Sequence, residues 1–210
     1  MNQTEFFAKW SALHGSAEIK GIVKAWLKIS YGSAKFMTAL RITPNLLTLF
    51  GIVFAIGMAA NPLALWTIPL LVLSLYADGI DGSVAIYQNR ATHFGAILDS
   101  VADRISEALW FYVAYRIGAP AWLVLITYVI ASTQEYARAR LGGLGIKDVG
   151  VVTPAERPVR ASFIFVALVA YAIDLNLATA VMSVLGALQV FSFYLVGRWA
   201  YNCLRNNFSA

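Results

Sequence analysis

The stretch YADGIDGSVAIYQNRATHFGAILDSVADR, residues 76–104, sets four aspartates, Asp78, Asp81, Asp99 and Asp103, inside a chain that otherwise runs from one apolar segment to the next. An ionised aspartate at bilayer depth costs about 2.5–3.5 kcal/mol, so this much acid needs a chemical reason. On a helix, Asp78 and Asp81 are three apart and Asp99 and Asp103 four apart, so each pair shares a face. A turn around residues 88–92 makes the two helices antiparallel, able to present all four carboxylates to one another. Carboxylates that close repel, and a divalent cation relieves both the repulsion and the burial. A donor set of carboxylates without His or Cys selects Mg²⁺, Mn²⁺ or Ca²⁺ over zinc. Gly79 and Gly82 flank Asp81, and Gly95 faces them from the next helix. Their missing side chains let a bulky charged ligand approach the backbone. The stretch therefore reads as two helices holding a metal that bridges to phosphate.

Working outward, the rest of the chain is built for lipid. Of 210 residues, 60% are hydrophobic and 13% charged, and the mean hydropathy is +0.67. Soluble domains run at about 45–50% apolar and about 25% charged. The expected fold is an all-α integral membrane protein with six transmembrane helices and an N-terminal interfacial amphipathic helix. Residues 1–41 form a cytoplasmic N-terminal segment, 42–205 the six-helix catalytic domain and 206–210 a short tail. In residues 18–38, Lys20, Lys24 and Lys28 recur every four positions, opposite Ile19, Ile22, Val23, Trp26 and Leu27. That pattern lies in the membrane interface with its lysines toward anionic headgroups; a helix packed on the protein body is the alternative. The six spans are expected at residues 45–60, from 63 into the aspartates, from 94 to about 116, 122–140, 161–172 and 177–199. The first forty residues lack the short apolar core of a cleavable signal. The single cysteine, Cys203, excludes an intrachain disulfide and suits a reducing compartment.

Six spans put the N-terminus, residues 78–95, residues 138–160 and the C-terminus on one side. The turns near Asn61, Gly118 and Asp174 fall on the other. Of the 16 basic residues, only Arg116 is on that second side, so the positive-inside rule makes the aspartates and both termini cytoplasmic, in a multi-pass protein of the cell (inner) membrane. The net charge of +5 is thus a topology signal, and no nucleic-acid module is visible.

From Asp78 the pattern is D-x-x-D-G-x-x-A, followed by G-x-x-x-D-x-x-x-D, with Gly82, Ala85 and Gly95 in register. It resembles the signature of the CDP-alcohol phosphotransferases, and TPNLLT at residues 43–48 extends the similarity. The resemblance implies that Asp78, Asp81, Asp99 and Asp103 surround one or two Mg²⁺ or Mn²⁺ ions on the diphosphate of CDP-diacylglycerol. Asp103 would take the proton from an alcohol hydroxyl that attacks the lipid-side phosphorus, and CMP would leave. It also implies nucleotide contacts at Thr43, Asn45, Gly82, Ala85 and Gly95, and a homodimer among membrane lipids. The family usually carries an arginine after the motif alanine, where this chain has Ile86. Arg90, four residues on, reaches the same face if the helix continues.

Arg104, Arg138, Arg140, Lys147, Arg157 and Arg160 could form a cationic pocket for a phosphate on the acceptor, or simply anchor the cytoplasmic surface. YARAR and AERPVR are similar to segments of actinobacterial phosphatidylinositol-phosphate synthases, which implies that Arg138, Arg140, Arg157 and Arg160 hold the phosphate of inositol phosphate, with Arg104, next to Asp103, a further candidate for that phosphate. Glycerol phosphate is the runner-up acceptor. A non-catalytic binder of the nucleotide lipid and an ion-coupled transporter are the competing classes; CMP release separates both from the enzyme. Glu107 is expected either to orient Arg104 or Arg138 or to belong to a satisfied buried pair, Glu135 to pair with a nearby arginine, and His14 and His93 to stay outside the chemistry.

Overall fold

The computed structural model of the chain describes residues 1–13, 18–146 and 151–208, and among them every regular element is a helix. In order these are α1 (Gln3–Leu13), α2 (Gly21–Ala39), α3 (Pro44–Ala60), α4 (Thr67–Tyr87), α5 (His93–Arg116), α6 (Ala121–Gly143), α7 (Arg157–Ala172) and α8 (Ala178–Phe208). The last six fall where the six apolar segments were expected. Among the described residues two stretches are long and apolar enough to cross a membrane alone, Thr67–Tyr87 and Ala178–Arg205. The pair Val23–Ala39 and Pro44–Ala60 passes only when taken together, and it is bent by 102°. The others fall short for visible reasons. At 1.5 Å per residue, α3 with 17 residues and α7 with 16 rise only about 25 Å, and α5 is interrupted by its own charges. His14 and Lys147 lie outside the described residues.

Five helix ends share one device. At each, a residue with positive φ, Arg41 (59°), Asn89 (54°), Gly118 (111°), Gly145 (83°) or Asp174 (59°), is followed by an N–H that reaches back five positions. The bonds are Ile42 to Met37 O, Arg90 to Ala85 O, Ala119 to Ala114 O, Ile146 to Leu141 O and Leu175 to Ala170 O. This closure satisfies carbonyls that the helix end would orphan. Arg41 stops α2, and Pro44, pre-set for a first helical turn, starts α3 in its new direction. Asn89 stops α4, so the helix does not continue through Arg90 as the sequence argument required.

The chain divides into two compact units, Met1–Ile56 with Val72–Ser106, and Gly57–Leu71 with Glu107–Ala210. In the first, Ala34, Leu47, Ile80 and Val84 form one core cluster, and Phe6, Leu27 and Ile86 another. The Ser74 hydroxyl donates to Gly51 O at 2.8 Å, binding α4 to α3. Helix α1 was not foreseen, although Asn2 and Glu5 spell a capping pattern: Asn2 Oδ1 accepts the Glu5 N–H at 2.9 Å. Leu27, assigned from sequence to the lipid-facing stripe, is fully buried. Thus α2 packs on the body along Leu27, Ser30 and Ala34 while Trp26, Ile29 and Phe36 stay exposed. In the second unit α8 packs against α6 and α7. Gln189 Nε2 donates to Gln134 Oε1 at 2.9 Å inside that packing.

Candidate metal and nucleotide site

Within the first unit, α4 contributes Asp78, and α5 contributes Asp99 and Asp103. One carboxylate oxygen from each lies within 4.8 Å of the others. The reversal at Asn89 brings the two helices into this antiparallel pairing, and the four-residue spacing stacks Asp99 and Asp103 on one face of α5. All three side chains are half-buried. Small hard cations bind oxygen at about 2.0–2.1 Å and accept carboxylates beside substrate phosphates. Three converging carboxylates with no nitrogen or sulfur donor fit Mg²⁺ or Mn²⁺.

Asp81 stands apart from that trio. It lines a cleft with Asp78 and Asp99 but is only 6% exposed; its carboxylate accepts the Thr48 hydroxyl and the neighbouring Gly82 N–H at 2.5 Å. A three-residue step leaves it about 60° around the axis from Asp78, enough to face α3 instead of α5. Thr48, the last residue of TPNLLT, had no assigned role in the sequence reading. Its spacing of three from Asn45, one helix face, was the available signal.

The cleft has a volume of about 500 Å³. Of the expected nucleotide contacts, Asn45, Gly82, Ala85, Arg90 and Gly95 line it, and Thr43 does not. Gly82 is open: a Cβ there would meet nothing within 4 Å. At Gly95 a methyl would press Thr92 Oγ1 at 3.2 Å and Asn45 Oδ1 at 3.3 Å. Thr92 also caps α5, accepting the Gly95 N–H at 3.0 Å. Arg90 reaches the cleft from the turn beyond α4. Ile86, in the place of the family arginine, is 7% exposed and packs with Phe6 and Leu27.

The basic residues divide. Arg104, in the first unit, lies 3.7 Å from Asp103. In the second unit, Arg140 is exposed at the end of α6. Arg138 is engaged by Glu156 through two bonds of 2.8 Å and donates to Val151 O. Burial pushes the Glu156 carboxyl up, but bonds from Arg138 and from the Thr153 hydroxyl and N–H outweigh it and hold the pKa at about 2. Arg157 stacks over Trp110 at 4.8 Å. Arg160 departs furthest from expectation: it is 0% exposed. Its Nε donates to Glu107 at 2.5 Å, Nη1 to Ala155 O at 2.5 Å and Nη2 to Glu135 at 3.4 Å. The expected loop reaches only Glu156, so Arg157 and Arg160 fall in the first turn of α7, and Arg160 turns into the helix packing. A guanidinium held there anchors the fold and offers no face to a solvent-borne phosphate. Glu107 thus has an arginine partner the sequence reading did not name, while Glu135 pairs with Arg138 at 3.6 Å as expected.

A family model described as CDP-alcohol phosphatidyltransferase matches residues 41–195. The chain is 36% identical over 163 residues to a phosphatidylinositol phosphate synthase of Corynebacterium glutamicum, covering 69% of this chain and 73% of that one. It is 32% identical over 133 residues to an archaetidylinositol phosphate synthase of Aeropyrum pernix, covering 60% and 68%. An uncharacterized protein of Aquifex aeolicus is 36% identical over 127 residues, covering 56% of this chain and 64% of that one. The matches span about two thirds of these relatives' length. The fold matches the crystal structure of Mycobacterium tuberculosis phosphatidylinositol phosphate synthase with CDP-DAG bound, at a TM-score of 0.69 and 22% identity, over 83% of this chain and 94% of that one. With the aspartate pattern in register and the matched region covering most of its length, the chain belongs to the CDP-alcohol phosphatidyltransferase family.

Proposed function

We propose that the protein moves a phosphatidyl group from CDP-diacylglycerol to the hydroxyl of a phosphorylated alcohol, inositol phosphate, and releases CMP. The observation that carries this is the convergence of Asp78, Asp99 and Asp103 from two helices, with Asp78 and Asp99 lining an open cleft. The named relatives, two inositol phosphate-linked synthases, favour the acceptor. Asp78 and Asp99 would hold Mg²⁺ or Mn²⁺, and Asp81, engaged by Thr48, is a further acid lining the cleft. Once bound, the cation offsets charge on the diphosphate oxygens and on the departing nucleotide. Asp103 takes the proton of the acceptor hydroxyl, since an alcohol is a weak nucleophile until a base removes it. The hydroxyl oxygen bonds to the lipid-side phosphorus, the bond from that phosphorus to the bridging oxygen breaks, and CMP leaves with the electron pair. Asn45, Gly82, Ala85 and Gly95 receive the nucleotide. Arg104, beside Asp103 in the first unit, is the candidate for the acceptor's phosphate.

The same reading places six helices across the inner membrane, with α2 lying in the cytoplasmic interface. The bend of 102° between α2 and α3 and the one-sided distribution of basic residues support it. The aspartates and both termini then face the cytoplasm, among membrane lipids, in a homodimer of the kind the family resemblance implies.

The deciding experiment gives the purified protein CDP-diacylglycerol and Mg²⁺ with inositol phosphate, glycerol phosphate, inositol or serine in separate reactions, and measures CMP. Inositol phosphate is expected to drive release, and chelation of the metal to stop it. CMP formed with glycerol phosphate alone would reassign the acceptor, and metal-dependent donor binding without CMP would make the protein a non-catalytic binder.

Arg90 carries a prediction of its own. Hydrogen bonds to charged groups contribute about 1.5–3 kcal/mol, so Arg90→Ala is expected to weaken CDP-diacylglycerol binding about tenfold or more, measured by titration in detergent. Unchanged affinity would show that the donor's phosphates do without Arg90.

A further inference from the structure

The aspartate cleft is not built by the family's helices alone. Trp10 and Leu13 from α1 and Trp26 from α2 also line it, and all three precede the matched residues 41–195. Trp26 lies directly on the acidic motif. A methyl built on Gly79, between Asp78 and Asp81, would stand 3.2 Å from Trp26 Cζ2 and 3.5 Å from Cη2. The indole therefore covers bare backbone within one residue of a metal-site carboxylate, yet remains 42% exposed. One turn on, Gly82 leaves the floor open.

This wall is held in place. Phe6 is fully buried against Leu27 and Ile86, which fastens α1 to α2 and α4. Lys9 Nζ donates to Asn89 Oδ1 at 2.7 Å, tying α1 to the turn that ends α4. The isoleucine standing where the family pattern has arginine is thus part of what positions the aromatic side of the cleft. Among the described lining residues Arg90 alone carries positive charge, so most of the surface beyond the acids is flat and apolar.

Resting on the donor reading above, we propose that Trp26, with Trp10 lining the same cleft, is the surface on which the base of the nucleotide donor stacks, making both donor-binding residues supplied by the N-terminal helices of this chain. The diphosphate end goes to the aspartates, and the base turns to the indoles, where π-stacking needs no hydrogen-bond code. An acyl chain is the other occupant such a wall could take, and the two differ in what a lipid-free nucleotide does.

The test measures binding of CDP and of inorganic pyrophosphate, each with Mg²⁺, to the full chain in detergent. Removing an aromatic from a stacked base weakens binding by about tenfold. Trp26→Ala is expected to weaken CDP by that factor, Trp10→Ala by less, and Trp26→Phe to restore most of the loss, with pyrophosphate unchanged throughout. Should Trp26→Ala bind CDP like the wild type while its KM for CDP-diacylglycerol rises, the wall serves the lipid and the proposal is overturned. Equal losses for CDP and pyrophosphate overturn it too, because Trp26 would then act only by supporting Gly79 and the acids. A wild-type protein that binds no CDP is a separate result, striking the donor reading itself.

Discussion

Asp103→Asn is expected to lower CMP release by about a thousandfold or more while leaving affinity for CDP-diacylglycerol within a few fold. A positioned base contributes typically about 10²–10⁴ to such a reaction, and the amide cannot accept the acceptor's proton. On the proposed mechanism binding survives, because Asp78 and Asp99 keep their carboxylates in the cleft. The comparison is kcat from a CMP assay against donor Kd from titration, on wild type and variant in one detergent. Asp78→Asn is the contrasting control, since it should weaken donor and metal binding together. A variant Asp103→Asn that turns over at the wild-type rate would remove the base from the mechanism, and equal losses in Kd for the two variants would make Asp103 a ligand only.

The second large effect lies in the second unit. Arg160 and Glu107 are both 0% exposed and meet at 2.5 Å. Removing one member of a buried pair costs about 3–5 kcal/mol. Arg160→Met is therefore expected to lower the thermal midpoint in detergent by on the order of 10 °C. Replacing both, Arg160→Met with Glu107→Leu, should recover much of that loss, because two apolar side chains need no partner. Were Arg160 instead a ligand for the acceptor's phosphate, the single variant would melt normally and show only a raised KM for inositol phosphate. That outcome would reverse the structural assignment made here.

The two predictions mark what kind of information each residue carried. Asp99 and Asp103 were legible because a four-residue spacing on a helix dictates a common face in any packing. The arginines were not, because their role depends on which way a helix turns its first residues. Arg157 and Arg160 both fall in the opening turn of α7, yet one lies over the Trp110 ring and the other is sealed among carboxylates. Likewise the reach of Arg90 depended on whether α4 continued, and a left-handed Asn89 ended it.

From the residues alone came the apolar helices and their order, and a pair of acidic helices suited to a hard cation. Each follows from local periodicity or composition, which no packing can alter. Only the tertiary structure decided that Asp81 turns to Thr48 and leaves a trio, that Leu27 is core, and that an unforeseen α1 brings Trp10 to the cleft. Those outcomes depend on contacts between segments far apart in the chain, where burial of one side chain is set by neighbours the local sequence does not contain.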